Sequence, residues 1–132
     1  MTQRQRGKFF NAVGANDVRT VDQMLSGGAD VNRRTVMGLT PLHFATMDVR
    51  HADKDMVKLL ISRGAEVNAK NEAGTTPLHY VAGWRMDLVE LLVASGADVN
   101  ARDKDGRTPL NIALLYRQRD IAELLRRHGA AE

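Results

Sequence analysis

Residues 64–82 read GAEVNAKNEAGTTPLHYVA, and two pieces of this stretch recur along the 132-residue chain. GADVN or its variant GAEVN begins at Gly28, Gly64 and Gly96, and a shortened copy begins at Gly129. TPLH or its variant TPLN begins at Thr40, Thr76 and Thr108. Because the glycines lie 36, 32 and 33 residues apart, the chain is predicted to consist of structural repeats.

Each repeat has a local physical interpretation. A threonine that caps a helix and a proline at its first position predict a helix start, and all three prolines, Pro41, Pro77 and Pro109, follow those threonines. Paired aliphatic residues, as in VKLLI, VELLV and AELLR, indicate a second helix, and the glycine after it is expected to be a left-handed C-cap. The polar stretch that follows predicts a projecting loop. Two helices this short are not stable alone, so the repeats must stack.

Composition excludes several classes of protein. The chain has no cysteine. This excludes the class of small disulfide-stabilised proteins and is consistent with a reducing compartment. Apolar residues are 43% and aromatic residues only 5%, so we expect a soluble domain with an aliphatic core. The net charge of +3 is mild, and we expect neither a membrane span nor a secretory signal.

The linked strings resemble ankyrin repeats, whose period and T-P-L-H-x-A signature they share. The resemblance implies an all-α solenoid of stacked helix-turn-helix units with projecting β-hairpin-like loops. We expect a single domain over residues 1–132, with units at approximately residues 5–36, 37–72, 73–104 and 105–132, of which the first and last are caps. The resemblance also implies that His43 and His79 hold the turns between repeats through hydrogen bonds. Asn111 replaces this histidine in the last unit.

The units differ in length only near the end of the first helix and in the turn after it. Relative to the fourth unit, the second has three extra residues within residues 47–55, and the third lacks one near residues 83–87. The loop at residues 49–54 is either neutral drift or a contact with a partner. His51 lies in that loop near three aspartates, but we interpret it as a solvated side chain and expect no metal.

The sequence has none of the motifs that carry catalysis. It contains no recognisable Ser-His-acid arrangement and no phosphate-cradling glycine loop. We expect the carboxylates of Asp103 and Asp105 to face away from any pocket. The chain is therefore predicted not to be an enzyme and to use no cofactor.

By resemblance, partners contact the loop tips and the exposed concave side of each first helix. The predicted positions on loop tips are Arg34, Val36, Met37, Leu39, Lys70, Glu72, Ala73, Thr75, Arg102, Lys104, Asp105 and Arg107. Those on the first helices are Met47, Asp48, Gly83, Trp84, Leu115 and Tyr116.

Three of these residues have alternative interpretations. Trp84, the only tryptophan, is either a binding anchor of the type enriched at interfaces or a filler of the gap left by the missing residue. Met37 and Leu39 either bind a partner or pack against the neighbouring tip.

The predicted function is non-catalytic binding of another protein, as an adaptor, scaffold or inhibitor. We expect a monomer in the cytoplasm, or in the nucleus of a eukaryote. The alternative is a polyanion-binding protein, for nucleic acid or acidic lipid, that uses its basic ends. Those ends contain Arg4, Arg6, Lys8, Arg117, Arg119, Arg126 and Arg127.

Overall fold

The computed structural model describes residues 2–132, and the regular secondary structure in this range is eight α-helices. They are α1 (Gln3–Gly14), α2 (Val18–Ser26), α3 (Pro41–Met47), α4 (Lys54–Ser62), α5 (Pro77–Val81), α6 (Met86–Ala94), α7 (Pro109–Leu115) and α8 (Arg119–Arg127). No strand occurs within residues 2–132, so the all-helical prediction is confirmed. None of the helices in this range has the length and apolar character needed to cross a bilayer.

The helices form two compact units, Met1–Glu66 and Val67–Glu132. In the first unit, α1 packs on α2 and α3, and α4 packs on α2 and α3. In the second, α5 packs on α6 and α7, and α8 packs on α6 and α7. Each unit is therefore two stacked helix pairs in two layers. The four pairs correspond to the four predicted repeats, while their union into a single domain remains a prediction.

Threonine caps start the first helix of three pairs. The hydroxyl oxygens of Thr40, Thr76 and Thr108 accept hydrogen bonds from the amide three residues later, and proline occupies the first helical position each time. The side chains of His43, His79 and Asn111 return the bond by accepting from the threonine amide at 3.0, 3.0 and 2.9 Å. Histidine and asparagine thus complete a capping box that glutamate usually forms.

Left-handed glycines end the second helix of each pair. The φ angles of Gly28, Gly64, Gly96 and Gly129 are 102°, 94°, 97° and 94°, which agrees with the C-caps that the sequence predicts. After each of the first three of these glycines, the chain enters the loop that leads to the next pair.

Hydrogen bonds close the projecting loops like hairpins. The amide of Asn71 donates to the Thr75 carbonyl at 3.1 Å, and that of Asp103 donates to the Arg107 carbonyl at 3.0 Å. Asn68 joins successive loops: its Nδ2 donates to the Gly96 carbonyl at 3.0 Å and its Oδ1 accepts from the Asp98 amide at 2.7 Å. The loops therefore have fixed shapes without regular strands.

The core is aliphatic, as the composition predicts. Leu42, Met56 and Leu60 are fully buried in the first unit, where Phe9 of α1 joins them. In the second unit the fully buried large side chains are also aliphatic, namely Leu78, Leu88, Leu92, Leu110, Ile121 and Leu125. Burial of each such side chain contributes about 1.5–3 kcal/mol, so these layers hold the loops and turns in place.

The turns within the pairs are unequal, and the second pair has the longest one, as predicted. The shortening of the third pair lies in α5, which is two residues shorter than α7, and not near residues 83–87 as expected. Six residues, 48–53, separate α3 from α4, whereas four separate α5 from α6 and three separate α7 from α8. The longest turn ends one residue earlier than expected, because Lys54 begins α4 with Asp53 as its N-cap. The five-residue α5 is the shortest helix in residues 2–132.

Candidate functional site

A groove of about 490 Å³ opens on the second unit, beside α5 and α7. One part of its wall is apolar and consists of Trp84, Ile112, Leu115 and Tyr116. The rest of the wall is polar and consists of Thr75, His79, Tyr80, Asp103, Arg107 and Asn111. A volume of this size suits a short peptide segment or a few side chains.

Two aromatic rings dominate the apolar part. The ring centroids of Trp84 and Tyr116 lie 4.7 Å apart at an interplanar angle of 41°. Trp84 follows the C-cap of α5 and Tyr116 is the C-cap of α7, so the two rings come from equivalent turns of neighbouring repeats. Trp84 is 53% exposed and Tyr116 is 46% exposed. The pair is thus held by packing and still presents large apolar surface to solvent.

The absence of a side chain at Gly83 allows this arrangement. A Cβ atom at Gly83 would lie 2.7 Å from Cδ2 of Tyr116 and 3.3 Å from Cγ2 of Ile112. The Tyr116 ring therefore packs directly against the backbone before Trp84. Because Trp84 is half-exposed, it does not fill a gap in the core.

Asp103 folds back into the groove wall, contrary to the expectation that it faces away from any pocket. Its Oδ1 accepts from the amides of Asp105 and Arg107 at 2.9 Å each, and its Oδ2 accepts from Nε of Arg107 at 3.0 Å. The loop curls around this carboxylate, which is 5% exposed, whereas Asp105 is 76% exposed. Burial raises the pKa of Asp103, but the hydrogen bonds from Arg107 and Asp105 and the charge of Arg107 together hold that pKa below its ordinary value.

His79 connects α5 to the same loop. Its Nδ1 accepts from the Thr76 amide at 3.0 Å, and its Nε2 donates to the Arg107 carbonyl at 2.9 Å. These partners define a neutral imidazole with its hydrogen on Nε2. Burial lowers the pKa of His79, and the bond to Arg107 partly opposes this shift. The hydrogen bond between repeats that the resemblance implies is therefore present at His79.

The structure divides the predicted binding residues into groups. Thr75, Trp84, Arg107, Leu115 and Tyr116 line the groove, with Gly83 beneath it. At the loop tips of the second unit, Nζ of Lys70 donates to the Arg102 carbonyl at 3.0 Å. The remaining predicted tip residues of this unit are exposed and outside the groove lining, namely Glu72, Ala73, Lys104 and Asp105.

The first unit holds the other predicted residues. Val36 and Met37 are 93% and 59% exposed, and Leu39 is half-buried. Arg34 donates from Nη1 to the Gly38 carbonyl at 3.0 Å and pairs with Glu66. The half-buried Met47 ends α3 and the exposed Asp48 follows it as the C-cap.

Sequence reasoning missed Tyr80, Asp103, Asn111 and Ile112 as groove residues. Two of them carried a usable signal, since Asn111 and Ile112 precede Leu115 and Tyr116 by four residues, which places them on the same helix face. Asp103 carried another: like Asn71 it lies three residues before a glycine, and both side chains accept bonds from the amides that follow.

Outside the groove, some of the described charged side chains form ion pairs, and the net positive charge lies in the first unit. Nδ1 of His51 lies 2.9 Å from Oδ2 of Asp48, and within residues 2–132 no group of three or more His, Asp or Glu side chains is arranged to hold a metal ion. Residues 67–132 contain nine Lys or Arg and nine Asp or Glu, so the net charge of +3 lies in residues 1–66. Among the basic residues of the C-terminal end, Arg126 pairs with Glu132.

Comparison with known proteins identifies the family to which the chain belongs. A search of curated proteins found no match for the chain. The family model that describes ankyrin repeats in three copies matches residues 9–103 and 47–131. Ankyrin repeats are in general protein-protein interaction modules and are typically non-catalytic. Because the matches together span residues 9–131, the chain belongs to the ankyrin-repeat family.

Proposed function

We propose that the protein binds another protein through the groove of its second unit and acts, without catalysis, as an inhibitor, adaptor or scaffold. The observation that carries this proposal is the half-exposed Trp84–Tyr116 pair in the groove wall. Tryptophan and tyrosine are the side chains most enriched at interface hot spots, together with arginine, and Arg107 lines the same groove.

The exposed apolar surface of the groove favours binding over a purely structural role. Folding gains no hydrophobic free energy from the faces of Trp84, Leu115 and Tyr116 that remain exposed in the groove. Burying about 100 Å² of such surface under a partner contributes roughly 2.5 kcal/mol before the costs of association. The neighbouring loops have fixed hydrogen bonds, so we expect little rearrangement on binding.

The first loop tip, residues 34–39, is a second proposed contact. Val36 and Met37 are exposed there, and Arg34 has its guanidinium bonded to the same loop. An apolar tip beside arginine suits the edge of an interface. We propose that the chain is monomeric when free and acts in the cytoplasm, or in the nucleus of a eukaryotic cell.

A pull-down with matched variants tests the proposal. Leu114 and Leu115 are adjacent on α7 and both are exposed, but only Leu115 lines the groove. A protein captured from the lysate of the source cell by wild type and Leu114→Ala, and lost with Leu115→Ala and Trp84→Ala, supports groove binding. Equal capture by all four baits contradicts it.

Trp84 itself provides the second measurement. It is the only tryptophan of the chain, so its emission reports on the groove alone when the partner's tryptophans are replaced or subtracted. The purified partner should shift this emission to shorter wavelength and protect it from acrylamide quenching. If a partner binds but leaves the emission wavelength and the acrylamide quenching of Trp84 unchanged, it binds outside the groove and contradicts the proposal.

Polyanion binding is the second candidate, supported by the location of the whole net charge in residues 1–66. Arg4, Arg6 and Lys8 lie exposed on α1. Binding of this kind weakens steeply as salt is added. A filter-binding assay with single-stranded DNA and acidic vesicles at 50 and 200 mM salt distinguishes it, because groove binding to a protein depends far less on salt.

A further inference from the structure

The groove has two chemically different ends. Trp84, Leu115 and Tyr116 form the apolar end, and Arg107 and Asn111 form a polar end. Asn111 precedes Leu115 by four residues on α7, which separates the two ends by about 6 Å along the helix.

The polar end offers hydrogen-bond donors. Arg107 uses Nε and Nη2 on Asp103 and Asp105, and within residues 2–132 its Nη1 meets no acceptor. Asn111 accepts the Thr108 amide with Oδ1, and its Nδ2 meets no acceptor among the same residues. Both carboxylate oxygens of Asp103 already accept bonds from this loop. The groove therefore presents donors to a ligand, and these donors match a carboxylate or carbonyl oxygen.

The spacing of the ends fits an extended chain. In a β-strand, side chains two residues apart point the same way and lie about 6.5 Å from each other. An apolar side chain at the aromatic pair thus places the side chain two positions away beside Arg107 and Asn111.

We infer that the groove binds an extended peptide segment of a partner protein that carries a large apolar residue and, two positions away, an aspartate or glutamate. This inference rests on the proposed function and specifies the partner's chemistry. Protein is favoured over nucleic acid because residues 67–132 carry no excess of positive charge, and the groove wall includes the aliphatic Ile112 and Leu115.

The inference predicts whether a substitution at Asp105 strengthens or weakens peptide binding. Its Oδ2 lies 3.1 Å from Nη2 of Arg107, and its side chain is 76% exposed. A partner carboxylate competes with Asp105 for the guanidinium. Asp105→Asn should therefore strengthen binding of an acidic peptide about threefold, because it removes a like charge beside the incoming carboxylate.

The variant Asn111→Asp tests the opposite effect, because it adds a negative charge to the groove and keeps the capping hydrogen bond. An aspartate can still accept the Thr108 amide, as Oδ1 of Asn111 does, but it replaces a donor with a negative charge. We expect it to weaken the acidic peptide about tenfold, as loss of a hydrogen bond to a charged group does. A companion peptide with glutamine in place of the acid should bind wild type about tenfold more weakly and should not distinguish wild type from Asn111→Asp.

The experiment uses the full chain and a phage-displayed library of 12-residue peptides without tryptophan. Selected peptides are synthesised with the acid and with its amide, and Kd is measured from Trp84 emission. Enrichment of the apolar-x-acid pattern, with the expected order of the variants, supports the inference.

Three outcomes overturn it. One is equal binding of acid and amide peptides with a shift of Trp84 emission, which leaves the proposed function standing. Another is a shift of Trp84 emission by a captured folded partner but by no peptide, which also leaves that function standing. The third is displacement of the peptide by a (dT)12 oligonucleotide or by a second copy of the chain. If neither peptide nor partner affects Trp84, the proposed function fails as well.

Discussion

Single residues decide the shape of the groove, and Gly83 shows this most directly. Its backbone lies under the Tyr116 ring, where any side chain would collide with Cδ2. The Tyr116 ring can move aside because it is half-exposed. A side chain at position 83 should therefore displace the Trp84–Tyr116 pair and reduce stability only moderately.

Gly83→Ala should lower the free energy of unfolding by about 1 kcal/mol and change the emission of Trp84. Gly7→Ala is the matched control, because nothing lies within 4 Å of a Cβ at that position in α1. There the better helix propensity of alanine should add about 0.5–1 kcal/mol. Urea denaturation and fluorescence spectra measure both; an unchanged Trp84 spectrum in Gly83→Ala contradicts the packing argument.

Arg117 is the second residue with a predictable response. Its φ of 58° is left-handed, which costs an L-residue with a side chain about 1–2 kcal/mol. Arg117→Gly should therefore stabilise the chain by about 1 kcal/mol in urea denaturation. Asn16 has the same φ, but its Nδ2 donates to the His51 carbonyl at 2.6 Å. Asn16→Gly loses that bond and should show no gain; a similar gain at both positions would count against this explanation.

At the scale of elements, the capping boxes join helix starts to loops. His79 accepts from Thr76 in its own box and donates to the Arg107 carbonyl in the next loop. Protonation of Nδ1 would break the bond from the Thr76 amide, because an N–H cannot accept. The folded chain therefore requires the neutral ring.

Stability should consequently fall in mild acid. Burial lowers the pKa of His79 from its ordinary value of 6.5, so the unfolded chain takes up the proton at a higher pH than the folded chain. The contribution of His79 is complete above about pH 6.5 and decreases as the pH drops below it.

The variant His79→Asn isolates this effect, because Asn111 makes the same capping bond in α7. It should cost about 1 kcal/mol near pH 7.5, where the bond to Arg107 is lost. Between pH 7 and pH 5, the free energy of unfolding of this variant should also decrease less than that of wild type. Urea denaturation across that range measures both, and parallel curves would mean that His79 does not titrate as argued.

The helices could be predicted from sequence because each has its own local signals. The Thr-Pro dipeptides at helix starts, the paired aliphatic residues and the glycines at helix ends predicted the order of the helices. All four predicted helix pairs are present in the structure. The groove could not be predicted in full, since it depends on the short α5, which ends at Val81 and brings Trp84 beside Tyr116. The position of Asp103 was predicted wrongly because a carboxylate that folds back onto following amides cannot be distinguished by charge from one that points to solvent.

At the scale of the whole molecule, stability in a repeat protein is approximately a sum of repeats and of contacts between neighbours. Asparagines contribute regularly to those contacts. Asn68 binds Gly96 and Asp98, and Asn100 binds Gly129 and Ala131, each through one donated and one accepted bond.

The two asparagines should nevertheless differ in importance. Asn68→Ala removes two hydrogen bonds that link successive loops and should cost about 2 kcal/mol in thermal or urea denaturation. Asn100→Ala should cost less, because its partners Gly129 and Ala131 follow α8, and no further helix pair within residues 2–132 packs on that segment. Equal losses would show that the end is as firmly held as the interior.

The burial of the threonine caps has a consequence for modification of the chain. A threonine followed by proline is the sequence that proline-directed protein kinases phosphorylate, and this dipeptide occurs three times here. Thr40, Thr76 and Thr108 are only 1%, 2% and 4% exposed, and their hydroxyls are bonded. A phosphate with nearly two negative charges has no room at these positions. A kinase could therefore reach them only in a nascent or unfolded chain, and a phosphorylated molecule would be prevented from folding.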